Sequence, residues 1–479
     1  MDERRLAERL LVVAIVLLAT GLRGGYLVTA PRGMQFEHVD AQGYHWLAVN
    51  LLERGIFSMN TAPPFRADNV RAPLYPLFVA GWYRIAGPSP ELVVLAQVLI
   101  EALTVVVLYR LGRALAGVRV GQGAALLYAL NPASWRFTNE LLTEILFGLL
   151  LTSAVWMLVL VVKRGRNRDA WRCGLVFGLA ILCKPNVQFL PLVLAVLLID
   201  GVIRGRKAWW QGVVIVLATI LLMLSPWVVR NRIVFGKWFY TRTFDDNVAH
   251  VSAVATLAEV RGEVVAPWSA RWEELYGHII VSAALRYGWE VTDDAHLTER
   301  ERDQRLQQVE TVAREIVLEH PLAFVRSHTR AWLWALVPQE HRFWYARLTG
   351  TPWESLPVEG DALGHAIQTA RRSTFGEGVR LLLKERLLAL PPLALTLWLG
   401  WGLMYAVAGG LLVVGALRLH PRIITFFILA TIFYVTFVPG PISQIRFRLP
   451  VTPLILLLVT VGLLGQPRAR KAKATARFL

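Results

Sequence analysis

The sequence predicts an all-α polytopic membrane protein with about ten transmembrane helices, interfacial helices on the outer face and a mixed or mainly helical extracytoplasmic domain. Three observations support this fold class. Of the 479 residues, 55% are apolar and the mean hydropathy is +0.46, above the level of ordinary soluble domains. Apolar runs of membrane-spanning length recur along the chain. The basic residues behind the net charge of +17 cluster between these runs.

Ten apolar runs are candidate spans, because a spanning helix needs about 20 mostly apolar residues. The four clearest runs lie at 10–22 (extendable to about 29), 91–112, 141–162 and 212–229. Shorter runs lie at 120–133, 171–184, 186–203, 387–417, 422–439 and 450–466. The first run lacks an obvious small-residue cleavage site, so we expect it to be an anchor rather than a cleaved signal.

The basic clusters set the orientation of these spans. They are MDERR at the start, RLGRALAGVR at 110–119, KRGRNR at 163–168, RGRK at 204–207, RLHPR at 418–422 and PRARKAKATAR near the end. If the N-terminus is cytoplasmic, every second connection carries one cluster, as the positive-inside rule requires. Solvated loops therefore explain the charge better than a nucleic-acid groove, and no nucleic-acid partner is expected.

The short apolar segment PLYPLFVAGWYRIAG, at 73–87, does not fit this orientation as a span, because it would reverse every later cluster. We expect an interfacial helix on the outer leaflet instead, anchored by Trp82, Tyr83 and Arg84. The whole stretch from about 30 to 90 then lies on the outer face.

The number and orientation of the candidate spans predict three domains. Residues 1–232 form an N-terminal membrane module with outer catalytic loops, 233–385 an extracytoplasmic cap, and 386–479 the C-terminal membrane helices with a basic cytoplasmic tail. Within the cap, helices are expected at 298–320 and 321–337, since the first pattern is periodic and is stopped by a proline.

Acids and bases gather at the outer ends of several segments. The acids are Asp40 in HVDAQGYHWLA and the pair Glu140 and Glu144 in NPASWRFTNELLTE. The bases are Arg71, Lys184, Arg230, Arg232, Arg446 and Arg448. Charges inside membrane segments cost a few kcal/mol each, so they usually face a cavity or a partner. Cations from four distant segments can together hold a phosphate at membrane level.

Other interpretations of these residues stay open. A single arginine at a span end is commonly a snorkelling anchor, and Asp40 can be a helix cap as well as a catalyst. His38 and His45 could bind metal with Asp40, but no tight ligand motif surrounds them; a divalent cation is left open and no other cofactor is indicated. Cys173 and Cys183 fall in one predicted helix about 15 Å apart, too far for a disulfide.

Six segments resemble a known superfamily in their order along the chain. HVDAQGYHWLAVNLLERGIFS, RAPLYPLFVAGWYRIAG, LLTEILFGLLL, GLAILCKPNVQFLPLVL, PWVVRNRIVFGKW and REIVLEHPLAFVRSH are similar to membrane glycosyltransferases of the C-type superfamily. The pattern is most similar to the dolichyl-phosphate-mannose protein mannosyltransferase and bacterial aminoarabinose transferase group. In the C-terminal third, RFRLPVTP is similar to the superfamily's last outer arginine motif.

The resemblance implies a function. It implies inverting transfer of a sugar from a polyprenyl-phosphate-linked donor to a glycan, lipid or protein acceptor. It also places the protein in the plasma (inner) membrane, with its active site on the extracytoplasmic side of the bilayer.

The resemblance also implies roles for individual residues. Asp40 matches the first outer-loop acid, the expected general base, and Glu144 matches an acid that follows threonine in the second outer loop, with Glu140 as the alternative. Donor binding is assigned to Tyr44, Arg71, Lys184, Arg230, Arg446 and Arg448. Val70 stands where the aminoarabinose transferases have a glutamate before a phosphate-contacting lysine, which puts a metal site like theirs in doubt.

Two other classes of protein compete with the enzyme. A secondary transporter or lipid flippase would also place charges near the membrane, but transporters tend to show paired half-repeats and broken spans, and the sequence shows neither. An assembly protein without catalysis is the third class. It predicts that Asp40 and Glu144 can be replaced together without loss of function.

Overall fold

The computed structural model of the protein describes residues 3–31, 33–291, 297–336, 340–351, 366, 369–370, 373–384, 390–442 and 445–465. Within these ranges the regular structure is helical throughout, so the predicted all-α fold is confirmed. Each of the ten runs predicted as spans contains a helix. Seven described helices are long and apolar enough to cross a membrane: Glu3–Thr29, Pro90–Ala116, Glu144–Arg164, Pro185–Ile203, Lys207–Phe235, Pro392–Arg418 and Ile445–Leu464.

The chain divides into two compact units. Unit 1 comprises Met1–Thr241, Val407–Val435 and Arg446–Leu479, and unit 2 comprises Arg242–Ala406 and Thr436–Ile445. The predicted basic tail, within 466–479, lies outside the described residues.

Unit 1 contains the first ten helices. They are α1 (Glu3–Thr29), α2 (Val39–Arg54), α3 (Leu74–Ala86), α4 (Pro90–Ala116), α5 (Val118–Ala129), α6 (Pro132–Phe137), α7 (Glu144–Arg164), α8 (Asn167–Cys183), α9 (Leu190–Ile203) and α10 (Lys207–Phe235). The predicted interfacial segment is helical, as α3. The basic clusters at 110–119, 163–168 and 204–207 fall at the turns α4–α5, α7–α8 and α9–α10, so they recur at alternate connections.

Helices α4 and α5 approach closely because glycines face each other. A Cβ added to Gly112 would lie 2.7 Å from the Cα of Gly121, and one added to Gly121 would lie 2.6 Å from the carbonyl oxygen of Tyr109. Small residues let spanning helices pack through backbone contacts where lipid removes the hydrophobic driving force.

A buried ion pair joins α1 to this hairpin. The guanidinium of Arg23 donates to Glu101 on α4 at 2.8 Å, and both side chains are almost fully buried. Arg23 also donates to the carbonyl oxygens of Tyr128 and Ala129 at the end of α5 and to the Ser134 hydroxyl at 2.6 Å. One cation thus bonds two carbonyl groups at the C-terminal end of α5 and the Ser134 hydroxyl in α6.

Unit 2 is built from shorter helices. They are α11 (Thr243–Asn247), α12 (Val254–Val260), α13 (Ala270–Tyr287), α14 (Glu299–Glu319), α15 (Pro321–Ala335), α16 (Glu340–Thr349) and α17 (Phe375–Leu383). A π-helical turn, Val248–Ala253, precedes α12. Trp272 is buried in the core of this unit and its indole donates to the carbonyl oxygen of His250 at 3.1 Å.

The two helices predicted for the cap are confirmed as α14 and α15. The side chains of Thr298 and Glu301 form a capping box at the start of α14. Later in the chain come α18 (Pro392–Arg418), α19 (Arg422–Phe437), α20 (Ile445–Arg448) and α21 (Thr452–Leu464).

Candidate active site

Asp40 lies in the first turn of α2 and pairs with two arginines from distant parts of the chain. Its Oδ2 lies 2.9 Å from Nη1 of Arg446, 406 residues away, and its Oδ1 lies 3.6 Å from Nη2 of Arg71. The N-cap residue of α2 is His38, and no side-chain hydrogen bond caps this helix. Asp40 is therefore not the cap, and its carboxylate pairs with the two arginines instead.

The two arginines control the ionisation of Asp40. Partial burial works to raise the pKa of the carboxyl, but the charges of Arg446 and Arg71 outweigh burial, so that the pKa falls below its ordinary value. Asp40 is thus an anion at neutral pH. Its side chain is still 40% exposed, which leaves the carboxylate accessible to a substrate.

Arg71 is held by a local turn that the sequence analysis did not identify. Asp68 accepts backbone hydrogen bonds from Val70 at 3.1 Å and from Arg71 at 2.7 Å, which closes an Asx turn. The DNVR sequence carries the signal, since aspartate commonly bonds the backbone two and three residues on. A Cβ at Gly43 would lie 3.1 Å from Nη2 of Arg71, so this glycine makes room for the guanidinium beside α2.

Lys184 and Glu144 form a second, buried ion pair. Nζ of Lys184 lies 2.7 Å from Oε1 of Glu144 and 3.4 Å from the hydroxyl of Thr143, and both charged side chains are at most 10% exposed. Lys184 ends α8 in an extended conformation because Pro185 follows it. Glu144 begins α7, where a carboxylate also favours the helix dipole.

The ring of Phe447 lies near one cation of each ion pair. Nζ of Lys184 lies 5.1 Å from the centre of its ring, and the Arg446 guanidinium lies 4.7 Å from the same centre. Nε of Arg446 is buried and has no hydrogen-bond partner among the described residues. A buried donor without a partner is costly, so this N–H is available to an anionic ligand.

Glu140 is buried near the cluster but pairs with different residues. Its carboxyl is fully buried, with Nε2 of His38 at 3.3 Å and Nε of Arg136 at 3.4 Å. Burial raises the pKa of Glu140 to about 8, although Arg136 opposes the shift. Burial also lowers the pKa of His38 to about 4. Both groups are therefore mainly neutral at pH 7, unlike Asp40.

The other predicted donor-binding residues surround the cluster. Arg230 donates to the carbonyl oxygen of Asp68 at 3.0 Å and lies over the Trp227 ring, so it supports the Asp68 turn rather than Asp40. The Arg71 guanidinium lies 5.9 Å from the ring centre of Tyr44. Arg448 is buried in α20, the short helix that carries Arg446.

The residues around Asp40 do not fit a resident divalent cation. In the parts of the chain that the structure describes, no three His, Cys, Asp or Glu side chains group as metal ligands. The charged partners of Asp40 are cations, and Nδ1 of His45 pairs with the Tyr83 hydroxyl at 2.8 Å.

Comparisons with known proteins confirm the resemblance that the sequence indicates. Residues 70–229, about a third of the chain, match the model of the family described as dolichyl-phosphate-mannose-protein mannosyltransferase. No curated protein sequence matches the chain. The archaeal oligosaccharyltransferase AglB from Archaeoglobus fulgidus, in complex with an inhibitory peptide and a dolichol-phosphate, matches with 14% identity and a TM-score of 0.51.

That match covers 97% of this chain and 50% of the oligosaccharyltransferase, so the chain spans about half the length of this solved protein. An Archaeoglobus fulgidus oligosaccharyltransferase tethered with an acceptor peptide matches with 14% identity over 95% of this chain and 49% of that one, again with a TM-score of 0.51. ArnT from Cupriavidus metallidurans bound to undecaprenyl phosphate matches with 13% identity over 96% and 78% of the two chains, with a TM-score of 0.39. The chain is thus a multi-pass membrane protein whose fold is similar to that of the archaeal oligosaccharyltransferase, and a third of it matches the mannosyltransferase family model.

Proposed function

We propose that the protein transfers a sugar from a polyprenyl-phosphate-linked donor to an acceptor at the extracytoplasmic face of the membrane, with inversion at the anomeric carbon. The observation that carries this proposal is the single cluster of Asp40 with Arg446, Arg71 and the Lys184–Glu144 pair. It supplies one exposed carboxylate and three cations, which are the groups needed to remove a proton and to bind a phosphate.

The cations are proposed to hold the donor phosphate. The buried Nε–H of Arg446 has no hydrogen-bond partner in the described part of the chain, and arginine binds phosphate through planar, paired hydrogen bonds. Arg71 and Lys184 add further positive charge to the cluster. Their charges stabilise the negative charge that develops on the lipid phosphate as it leaves.

Asp40 is proposed as the general base. The acceptor O–H or N–H loses its proton to the Asp40 carboxylate while the acceptor atom bonds to the anomeric carbon and the bond from that carbon to the phosphate oxygen breaks. In the free protein, the pairing with Arg446 makes Asp40 a weak base. A bound phosphate competes for the same guanidinium, so donor binding raises the pKa of Asp40 toward a value suited to catalysis.

Glu144 and Glu140 are proposed to have different roles. Glu144 is buried against Lys184 and holds that cation in place beside the phosphate. Glu140 keeps a proton to about pH 8, so its carboxyl is proposed as a hydrogen-bond donor beside the cluster.

The positions of the basic clusters support the outer face. The turns at 110–119, 163–168 and 204–207 are expected in the cytoplasm by the positive-inside rule. Lys184, which ends α8, and Glu144, which begins α7, lie at the ends of these helices away from the α7–α8 turn, and Asp40 is proposed on the same side because it clusters with them. Residues 233–385 are proposed as the extracytoplasmic cap, and the plasma (inner) membrane as the location.

Transfer of radiolabel from a polyprenyl-phosphate sugar by the purified protein tests the proposal. We expect transfer by the parental protein and a rate about 10²- to 10⁴-fold lower in Asp40→Asn. A protein that moves the intact lipid-linked sugar across vesicles without breaking the sugar–phosphate bond would be a flippase, and the proposal would be wrong. An inert parental protein would also contradict it.

A further inference from the structure

Gln97 is a fully buried polar side chain about two turns into α4, inside a helix apolar enough to span the membrane. Polar groups in such segments need partners, and they commonly mark function. Its amide nitrogen donates to the carbonyl oxygens of Thr138 and Glu140 at 2.8 and 2.9 Å. One side chain thus uses both of its N–H groups on the loop between α6 and α7, the loop that leads to Glu144.

The hydroxyl of Tyr75 completes this bonding pattern. Since both N–H groups of Gln97 are used on the loop, its oxygen faces the other way and accepts from the Tyr75 hydroxyl at 2.8 Å. Tyr75 belongs to α3 and is fully buried. The Gln97 amide thus bonds to α3 through its oxygen and to the loop through its nitrogen.

Tyr75 connects Gln97 to α2, the helix that carries Asp40. Its ring packs edge-on against Tyr44, with the ring centres 5.0 Å apart. Tyr44 lies one turn after Asp40 on α2. The path from Tyr44 through Tyr75 and Gln97 joins the helix that carries Asp40 to the loop that carries Glu140.

We infer that Gln97 and Tyr75 are positioning residues, which fix the Glu140–Glu144 loop relative to Asp40 without touching the substrate. This inference rests on the proposed glycosyl transfer for its catalytic consequence only. The hydrogen bonds to the loop give it a second, structural consequence that is measurable without any substrate.

The test compares Gln97→Met and Tyr75→Phe with the matched control Thr104→Val. Thr104 is also buried on α4, but its hydroxyl bonds to the carbonyl oxygen of Ile100 in its own helix. Hydrogen–deuterium exchange at residues 138–142 and the kinetics of sugar transfer are measured for all three variants and for the parental protein.

We expect faster amide exchange at 138–142 in Gln97→Met and Tyr75→Phe, and parental exchange in Thr104→Val. In the same two variants kcat falls by roughly 10- to 100-fold, because a small displacement of catalytic groups is costly. The donor KM changes by about threefold or less, because Arg446 and Arg71 are held by Asp40 and Asp68 and not by this path. A role in folding alone predicts lower melting temperatures with unchanged kcat in the protein that remains folded.

The inference is overturned if exchange and kcat in both variants match the parental protein, or if Thr104→Val gives the same changes. If Gln97→Met does not fold, Tyr75→Phe carries the test alone, since it removes one hydroxyl and keeps the ring. If the parental protein transfers no sugar but exchange at 138–142 rises as expected, the proposed function fails and the positioning network stands.

Discussion

Replacing Lys184 by methionine isolates the buried ion pair of the proposed phosphate site. Its Nζ lies 2.7 Å from Glu144, whose side chain is only 2% exposed, so the substitution leaves a carboxylate buried without its counter-charge. Removing one partner of a buried pair typically costs about 3–5 kcal/mol of stability. Replacing both partners by uncharged groups is often nearly neutral. We therefore expect Lys184→Met to be destabilised by this amount, and Lys184→Met/Glu144→Gln to recover most of the loss.

Activity separates the structural role of Lys184 from the proposed catalytic one. The double variant is expected to fold and still to transfer sugar poorly, because the donor phosphate lacks a cation. The free energy of unfolding in detergent and the rate of radiolabel transfer are measured for each variant. Lys207→Met is the control, because Lys207 is an exposed lysine at the start of α10. If the double variant is as unstable as the single one, or if either variant transfers sugar at the parental rate, the reasoning is refuted.

Three further predictions follow from the same site. Asp40→Asn should lower turnover by about 10²- to 10⁴-fold, the usual contribution of a proton-transfer catalyst, with the melting temperature nearly unchanged; a parental rate in the purified variant contradicts the assigned role. Because the pKa of Glu140 is raised to about 8 in the folded protein, the folded state binds more protons than the unfolded state between about pH 4.5 and 8. Stability contributed by this group therefore falls as pH rises through that window, and Glu140→Gln should flatten the fall in melting temperature; an unchanged slope shows that Glu140 does not titrate there. A polyprenyl-phosphate sugar at about 100 times its Kd should stabilise the protein by about 2.7 kcal/mol, whereas nucleotide sugars should not, and equal stabilisation by both rules out a lipid-linked donor.

The membrane fold was predictable because the bilayer imposes a length and a polarity on every span. Each of the ten apolar runs contains a helix, and the segment at 73–87 is helical as α3. The sequence does not show directly that Asp40 and Arg446 pair, since no local pattern links residues 406 positions apart. The cost of charge in the membrane supplied the reason to place them together.

The supporting residues were not predicted. Arg23 and Glu101 lie inside apolar runs, so the same argument of charge cost could have paired them. Asp68 carried a turn signal in its spacing to Arg71. Gln97 carried no signal that distinguishes a loop anchor from a helix–helix contact, because its partners are backbone carbonyls whose position depends on the tertiary fold.

The most direct test of the catalytic cluster is single-turnover cleavage of a radiolabelled polyprenyl-phosphate sugar by purified protein in vesicles. We predict that the parental protein releases polyprenyl phosphate and labels an acceptor, whereas Asp40→Asn binds the donor and cleaves it about 10²- to 10⁴-fold more slowly. Cleavage by Asp40→Asn at the parental rate, or transport of intact donor by the parental protein, would contradict the assignment.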